Sequence, residues 1–268
     1  MASILDDIFA AKRVEVRACR ERTPLAAIVE AAKKAPPPRR FVDALRARRS
    51  AIIAEVKRAS PSKGDIFPGL DPATVARDYA AAGAAAISVL TDRHFKGSLD
   101  DLRAVRGATD LPILRKDFIF DEYQIYQARA AGADCILLIA ATLKADELRA
   151  LAEIARRLEL AALVEAHNAE EFALAESSGA ELIGINNRDL HTFKTDIATT
   201  EELLRGYRGH ALIVSESGIE TPEHIRRLDH AGARAFLIGE SLLRGGNPRA
   251  AISALADSLA QSRERDAR

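Results

Sequence analysis

Eight short apolar runs recur after residue 50, and this recurrence constrains the fold more than any other feature of the sequence. The runs begin at intervals of 21 to 34 residues, so each interval has room for one strand, one helix and two short loops. They are residues 51–56, 85–90, 111–114, 135–140, 161–164, 182–185, 211–214 and 235–238. Runs that are apolar on both faces are typical of parallel strands covered by helices. The pattern therefore predicts a repeated strand–helix unit.

Eight such units predict a closed (β/α)8 TIM barrel, an α/β fold that commonly reaches this length as one domain. A doubly wound open sheet is the alternative, but that fold more often carries a glycine-rich nucleotide turn after its first strand. No such turn follows residue 56. Residues 1–48 lie outside the eightfold pattern and are predicted to form a helical N-terminal extension, interrupted by prolines at 36–38. We expect residues 1–268 to form a single barrel domain.

Composition excludes several classes of partner. Lys plus Arg and Asp plus Glu both number 39, so the net charge is zero and neither nucleic acid nor an anionic membrane is indicated. No apolar run approaches the roughly 18 residues of a membrane span, and the N-terminus lacks the pattern of a secretory signal. The chain has two cysteines, Cys19 and Cys135, which is too few to indicate a disulfide framework. We expect a cytoplasmic monomer, with a weak homodimer as the alternative.

Ionisable and amide side chains gather where the apolar runs end. Glu55 and Lys57 are two residues apart at the end of the first run, so they share one strand face. Later runs lead into Lys116, Glu165, Asn186, Arg188, Glu216 and Glu240. Because barrel chemistry lies at the C-terminal ends of the strands, we expect an acid–base centre there. In it, neighbouring cations would lower a lysine pKa and apolar walls would raise a glutamate pKa. A structural ion-pair network at the barrel rim is the alternative.

Glycines after the last two runs predict a phosphate site. Loops after the seventh and eighth strands of such barrels commonly bind phosphate, and glycine permits a close approach of the backbone. The predicted phosphate-binding residues are Gly218, Gly239, Glu240 and Ser241. Two ordinary tight turns are the alternative. The six histidines show no HxxxH or HxH spacing, so no metal site is expected, and His167 is interpreted as a loop residue.

Residues 53–64 read Ile-Ala-Glu-Val-Lys-Arg-Ala-Ser-Pro-Ser-Lys-Gly, which is a specific motif. With residues 114–118, 163–167, 184–190 and 216–219, it makes almost the whole chain resemble the indole-3-glycerol-phosphate synthase family. The resemblance implies a carboxy-lyase of tryptophan biosynthesis that needs no cofactor. Its substrate would be the phosphorylated small molecule 1-(2-carboxyphenylamino)-1-deoxy-D-ribulose 5-phosphate. The products would be indole-3-glycerol phosphate, carbon dioxide and water.

The resemblance also implies roles for individual residues. Lys116 matches the general acid, Glu165 matches an acid–base residue, and Glu55 and Lys57 match their partners. Asn186 matches a further member of the catalytic group. Substrate contacts are implied at Ser60, Phe95, Phe118, Arg188, Glu216 and Ser217. The two phenylalanines would form apolar walls, and residues 60–64 would form a mobile loop that serves the anionic groups of the substrate.

Two other functions remain open from the sequence. One is a barrel lyase that forms a Schiff base on Lys57 or Lys116. The other is a barrel that binds a phosphorylated ligand without catalysis. The number of charged residues predicted at the barrel mouth argues against the second.

Overall fold

The computed structural model describes residues 4–60, 64–67, 69–189 and 192–255. Within them, eight parallel strands close into a barrel, each pairing with its neighbours in chain order and the last pairing with the first. The strands are β1 Ala51–Val56, β2 Ala86–Leu90, β3 Ile113–Lys116, β4 Cys135–Ile139, β5 Ala161–Ala166, β6 Leu182–Asn186, β7 Leu212–Glu216 and β8 Ala235–Ile238. The predicted (β/α)8 barrel is confirmed.

Three helices precede β1: α1 Ile4–Arg22, α2 Leu25–Lys34 and α3 Phe41–Arg46. Between strands and after β8 lie α4 Pro72–Ala81, α5 Leu99–Ala108, α6 Glu122–Ala131, α7 Ala145–Arg157, α8 Ala169–Ser177, α9 Ala198–Leu203, α10 Pro222–Ala231 and α11 Glu240–Leu243. Residues 248–255 are also helical. Short 3-10 helices follow β2 at Arg93–Phe95 and β4 at Ala140–Thr142. No helix in these described ranges is long and apolar enough to cross a membrane.

Strand β3 shows why the apolar runs misplaced several strand ends. The run at 111–114 predicted its position, but the strand begins at Ile113 and continues through Arg115 to Lys116, which pairs with Leu90 of β2. Ladder hydrogen bonds involve only the backbone, so a strand continues into charged residues where the apolar pattern stops. Strands β5, β6 and β7 likewise extend into their polar ends. The ionisable residues are therefore held by the sheet itself.

Apolar side chains fill the barrel below these polar ends. The inward faces contribute one cluster, which includes Ile53, Leu114, Leu137, Leu163, Val214 and Leu237. Phe41, Val42 and Leu45 of α3 belong to the same cluster, so α3 closes the N-terminal end of the barrel. A second, larger cluster packs the outward faces against the surrounding helices. This packed interior supports the opposite, C-terminal end, where the polar residues lie.

Helix α1 is attached to the C-terminal end of the barrel by a buried lysine. The ammonium of Lys12 is 1% exposed and lies 2.8 Å from Asp92, which follows β2, and 3.0 Å from Asp117, which follows β3. Asp117 also accepts from Arg115 at 2.8 Å. Arg115 and Lys12 outweigh the effect of burial and lower the pKa of Asp117 to about 2. The N-terminal extension therefore forms part of the rim around the barrel mouth.

Candidate active site

A cavity of about 250 Å³ opens at the C-terminal ends of the strands. Its walls contain nearly every residue that the sequence assigns to the site: Glu55, Lys57, Phe95, Lys116, Phe118, Glu165, Asn186, Arg188, Glu216, Ser217, Gly218, Gly239, Glu240 and Ser241. Ser60 is the exception. Its side chain is buried and does not line the cavity. Ser60 lies in a two-residue strand, Ala59–Ser60, that pairs antiparallel with Gly64–Asp65 outside the barrel. Residues 61–63 of the predicted mobile loop lie outside the described part of the chain.

Lys116 lies between two glutamates in the wall of the cavity. Its Nζ donates to Oε2 of Glu165 at 2.8 Å and lies 3.1 Å from Oε2 of Glu216. Side chains of both glutamates are 3% exposed or less. Lys116 lies on the inward face of β3, Glu165 on β5 and Glu216 on β7. Three strands distant in sequence thus bring one cation and two carboxylates together.

The expectation that neighbouring cations lower the lysine pKa is wrong for Lys116, whose pKa is raised. Burial alone would lower it, but the neighbouring acids, Glu165 first among them, outweigh burial and raise the pKa above its usual range. The sequence pattern suggested two converging lysines, whereas the nearest groups to Lys116 are acids. Lys116 is therefore an ammonium with a proton to donate at neutral pH.

The two glutamates titrate in opposite directions. Burial raises the pKa of Glu165, but Lys116 and His167 more than compensate and hold the pKa well below its usual range. Burial also raises the pKa of Glu216, and the nearby Glu165 adds to that rise; Lys116 offsets only part, so the value is about 8. Of the two acids beside Lys116, Glu165 is accordingly a carboxylate at neutral pH and Glu216 is mainly protonated.

Glycines make room for two of the carboxylates. A Cβ atom on Gly184 of β6 would lie 2.2 Å from Oε1 of Glu216, and one on Gly239 would lie 2.5 Å from Oε1 of Glu55. Both distances are below any normal contact, so a larger residue would displace the acid. Gly184 was not predicted as a site residue. Its signal in the sequence is its position on the inward face of β6, two residues before Asn186.

Glu55 and Lys57 form a second ion pair beside the first. Their side chains are 2.7 Å apart, and the lysine is 14% exposed while the glutamate is 5% exposed. The buried hydroxyl of Tyr79 donates to the Glu55 carbonyl at 3.1 Å, which fixes the end of β1 against α4. The pairing that the alternation of β1 predicted is therefore present, and it faces the cavity.

The side chain of His167 is only 7% exposed, although the sequence pattern gave no reason to separate it from other loop residues. Its Nδ1 lies 2.9 Å from Oε2 of Glu171 on α8, and its Nε2 lies 3.3 Å from Oε1 of Glu165. Burial alone would lower the pKa of His167, but the two flanking carboxylates raise it to about 10. His167 does not line the cavity. The signal in the sequence for a role of His167 was its position two residues after Glu165.

Polar residues after β6 face the other side of the cavity. The Asn186 side-chain oxygen accepts from the backbone N–H of Arg188 at 3.1 Å. Arg188 donates through Nε to Thr195 at 3.3 Å, and its guanidinium lies 3.9 Å from the Glu240 carboxylate. That carboxylate also accepts from Arg244 at 2.7 Å. The acid that the sequence placed beside the phosphate site is thus engaged by arginines.

The turn after β7 has a strained backbone. Ser217 has φ +66° and Gly218 has φ +75°, values that L-residues rarely adopt. A Cβ on Gly218 would also lie 2.6 Å from Thr195, so both conformation and space require glycine there. Strain of this kind tends to occur at functional sites. The Ser241 hydroxyl donates to the carbonyl of Ile219 at 2.9 Å and joins this turn to the start of α11.

Aromatic side chains close the remaining side of the cavity. Phe95 and Phe118 lie with ring centroids 6.4 Å apart, and Phe9 of α1 packs edge-on against Phe118 at 5.4 Å. Ile8 of α1 also lines the cavity. Neither α1 nor Phe193 and Thr195, which follow β6, was predicted to belong to the site. The signal for α1 in the sequence was the apolar pair Ile8 and Phe9, followed three residues later by Lys12.

A metal centre has no support in the described ranges, where no group of three or more His, Cys, Asp or Glu side chains is placed to hold an ion. The acids at the cavity are instead paired with Lys57, Lys116 and His167. The arrangement supports proton transfer among a lysine and several carboxyl groups.

Comparison with known proteins identifies the relatives of this barrel. A family model described as indole-3-glycerol phosphate synthase matches residues 5–255. The protein of that name from Chromobacterium violaceum is 48% identical over 260 residues, which cover 95% of this chain and 98% of that one. Its counterpart from a Nocardioides species is 50% identical over 251 residues, covering 93% and 96%.

Solved structures of lower identity show only the shared fold. A thiamine phosphate pyrophosphorylase from Pyrococcus furiosus superposes with a TM-score of 0.60 at 17% identity, covering 81% of this chain and 98% of that one. The sequence matches are much stronger evidence of relationship than this shared fold, because about half of the residues are identical over nearly the full length. The chain belongs to the indole-3-glycerol phosphate synthase family.

Proposed function

We propose that the barrel mouth carries out the reaction of this family through Lys116 and the carboxyl groups around it. The chain is a carboxy-lyase of tryptophan biosynthesis. It closes the ring of 1-(2-carboxyphenylamino)-1-deoxy-D-ribulose 5-phosphate and forms indole-3-glycerol phosphate, carbon dioxide and water. The observation that supports the residue assignment is the ammonium of Lys116, held between Glu165 and Glu216 inside the cavity.

Ring closure requires a proton for the substrate ketone while the anthranilate ring attacks the carbonyl carbon. Lys116 is the proposed donor, since its raised pKa keeps it charged until the carbonyl oxygen becomes basic. Departure of the carboxylate as carbon dioxide then returns the electron pair to the ring system. Lys57 lines the cavity and is only partly exposed, so it is the proposed counter-charge for that carboxylate.

Dehydration requires a proton for the leaving hydroxyl and removal of one from the new ring. Glu165 is ionised at neutral pH and is the proposed proton acceptor. Glu216, with a pKa of about 8, is mainly protonated and is proposed to donate a hydrogen bond to a substrate hydroxyl. Asn186 and Arg188 are proposed to hold further oxygen atoms, since both line the same cavity.

The aromatic and glycine-containing walls are proposed to bind the two ends of the substrate. Phe95 and Phe118 would contact the carboxyphenyl ring, and the backbone after β7 and β8 would bind the phosphate. Inorganic phosphate should therefore compete with substrate at constant ionic strength. If turnover is insensitive to high phosphate, the residues proposed here, Gly218, Gly239, Glu240 and Ser241, do not form the phosphate site.

A Schiff-base mechanism is less well supported. An amine must lose its proton to act as a nucleophile, whereas the carboxylates around Lys116 raise its pKa. Borohydride treatment in the presence of substrate should give no covalent adduct. A reduced adduct on either lysine of the cavity would favour the rival mechanism.

The direct test uses the fluorescence of the product. The chain contains no Trp, so formation of an indole ring can be followed against a low protein background. Purified protein and the carboxyphenylamino substrate should give a rise in indole fluorescence with equimolar release of carbon dioxide. No rise from folded protein, tested over a range of substrate concentrations, would reject the activity and leave a binding role.

The proposed organisation is a single barrel domain that works as a monomer in the cytoplasm. Both Cys19 and Cys135 are free thiols, which agrees with a reducing compartment. Light scattering after size exclusion should give a mass near 29.0 kDa. A mass near twice that value would show that the protein is a homodimer and would contradict the proposed monomer.

A further inference from the structure

A chain of alternating charges runs from the surface of the barrel to the reacting lysine. It begins at Glu171 on α8, passes through His167 and Glu165, and ends at Lys116. Its contacts are 2.9, 3.3 and 2.8 Å long. Each carboxylate oxygen of Glu165 therefore faces a different nitrogen, with Oε2 on Lys116 and Oε1 on His167.

Glu171 is held firmly at the outer end of this chain. Its Oε2 accepts from the backbone N–H of His167 at 2.8 Å, and its Oε1 accepts from the side chain of Asn168 at 2.6 Å. Asn168 in turn caps α8 by accepting from the Glu171 N–H at 3.0 Å. The acid cannot turn away from the imidazole without losing its hydrogen bonds from the His167 N–H and from the Asn168 side chain. It is thus a fixed negative charge beside Nδ1.

The imidazole of His167 has little access to water. Its side chain is 7% exposed, and its Nε2 has no hydrogen bond of good geometry with the described residues, so its attraction to Glu165 is that of an ion pair. The 3-10 helix Ala140–Thr142, which packs against α8, carries no ionisable side chain. Among the residues that the structure describes, the charged groups that act on His167 are Glu165 and Glu171, with Lys116 and Glu216 beyond Glu165.

We propose that His167 is a positioning residue, held as an imidazolium between Glu165 and Glu171, and that it keeps the Glu165 carboxylate ionised and directed at Lys116. Because His167 does not line the cavity, it acts on the substrate only through Glu165. The raised pKa of His167, about 10, agrees with this geometry. The inference rests on the proposed role of Glu165 as proton acceptor.

The kinetic test compares two neutral replacements. His167→Gln places an amide near the position of Nε2, and His167→Asn places one near Nδ1, so each keeps one hydrogen-bonding end and removes the charge. Without the cation the pKa of Glu165 rises, so the acidic limb of the kcat/KM profile should move up by at least about one pH unit in both variants. At neutral pH kcat should fall by about threefold to tenfold with KM little changed.

Matched variants separate this effect from a loss of packing. Glu171→Gln keeps the imidazole and should move the profile in the same direction by a smaller amount. His230→Gln alters an exposed histidine on α10 and should leave the profile unchanged. A profile for His167→Gln or His167→Asn that superimposes on the wild type, or a raised KM with unchanged kcat, would overturn the proposal.

A measurement without turnover keeps the inference distinct from the proposed function. In protein labelled with ¹⁵N-histidine, one imidazole should keep both ring protons at about pH 8, where an ordinary histidine is neutral. That signal should be absent from His167→Gln. If all imidazoles are neutral at that pH, the proposal fails even when the enzyme is active. If the protonated imidazole is present and the enzyme inactive, only the assigned reaction fails.

Discussion

The ends of β5 and β7 each present one glutamate to Lys116, yet the two strand ends give their glutamates opposite acidities. Glu165 has a cation at each oxygen, because His167 lies just after the end of β5 and Lys116 faces Glu165 from β3. Glu216 shares Lys116 with Glu165 and has a glycine, Gly184, beside its other oxygen. The pKa falls in the first case and rises to about 8 in the second.

This difference shows that residue type alone does not assign acid and base roles at a barrel mouth. Both glutamates are buried to a similar degree, so desolvation penalises both carboxylates. What separates them is the number of cations within reach. One buried lysine can keep one glutamate ionised but not two, since the second ionisation would place like charges side by side.

The largest expected effect comes from removing the shared cation. Lys116→Met should lower kcat at least about a hundredfold, equivalent to about 2.7 kcal/mol of transition-state stabilisation, because the proposed proton donor is gone. The rate is measured by indole fluorescence, and thermal unfolding shows whether the fold survives. Lys33→Met, on the exposed surface of α2, serves as the control and should turn over normally. Near-normal turnover by Lys116→Met would remove the lysine from the mechanism.

Glu165→Gln should have the next largest effect. Glutamine cannot accept a proton, so kcat should fall between about tenfold and a hundredfold while KM changes little. Steady-state kinetics at neutral pH measure both constants. A large rise in KM with normal kcat would instead make Glu165 a substrate-binding residue.

Glu216→Gln should be milder than Glu165→Gln. A glutamine amide resembles the protonated carboxyl group that a pKa of about 8 leaves at position 216. We therefore expect kcat at neutral pH to fall by less than about tenfold. The same assay measures it, and equal losses in the two variants would show that the glutamates do not differ in protonation.

The smallest expected effect is on the pH dependence of stability. A carboxyl group whose pKa is raised to about 8 binds more protons in the folded than in the unfolded chain, so its contribution destabilises the fold as pH rises from the ordinary glutamate value towards 8. Glu165, with its lowered pKa, contributes in the opposite sense and loses its stabilising effect on acidification.

Urea unfolding at about pH 5.5 and pH 8.5 tests this sign. Between these values the free energy of unfolding should fall more in the wild type than in Glu216→Gln, which has no proton to lose at that position. Parallel falls in the two proteins would contradict the raised pKa of Glu216.

Much of the fold could be predicted from the sequence, and so could the position of most predicted site residues around one cavity. Apolar runs predicted the eight strands because burial on both faces leaves a pattern that needs no knowledge of partners. The charged ends predicted Glu55, Lys116 and Glu165 at one mouth because the barrel brings all strand ends together. The specific motif at residues 53–64 then distinguished one family among many barrels.

The acidities of the site could not be predicted in the same way. Whether a lysine faces cations or carboxylates depends on strand order and register, which join Lys116 to residues on β5 and β7. The raised pKa of Lys116 was missed for that reason. Glu171 was missed because it acts through His167 from a helix, and Ile8 because nothing local indicates where α1 docks.

The docking of α1 has a consequence for the order in which the protein can be completed. This helix is synthesised before the barrel strands, yet Asp92 and Asp117, which hold Lys12, are supplied by segments made later. Until β3 has left the ribosome, Phe9 lacks the aromatic partner against which it packs. The wall of the cavity that is encoded earliest is therefore assembled late, and the nascent chain must carry an undocked amphipathic helix in the meantime.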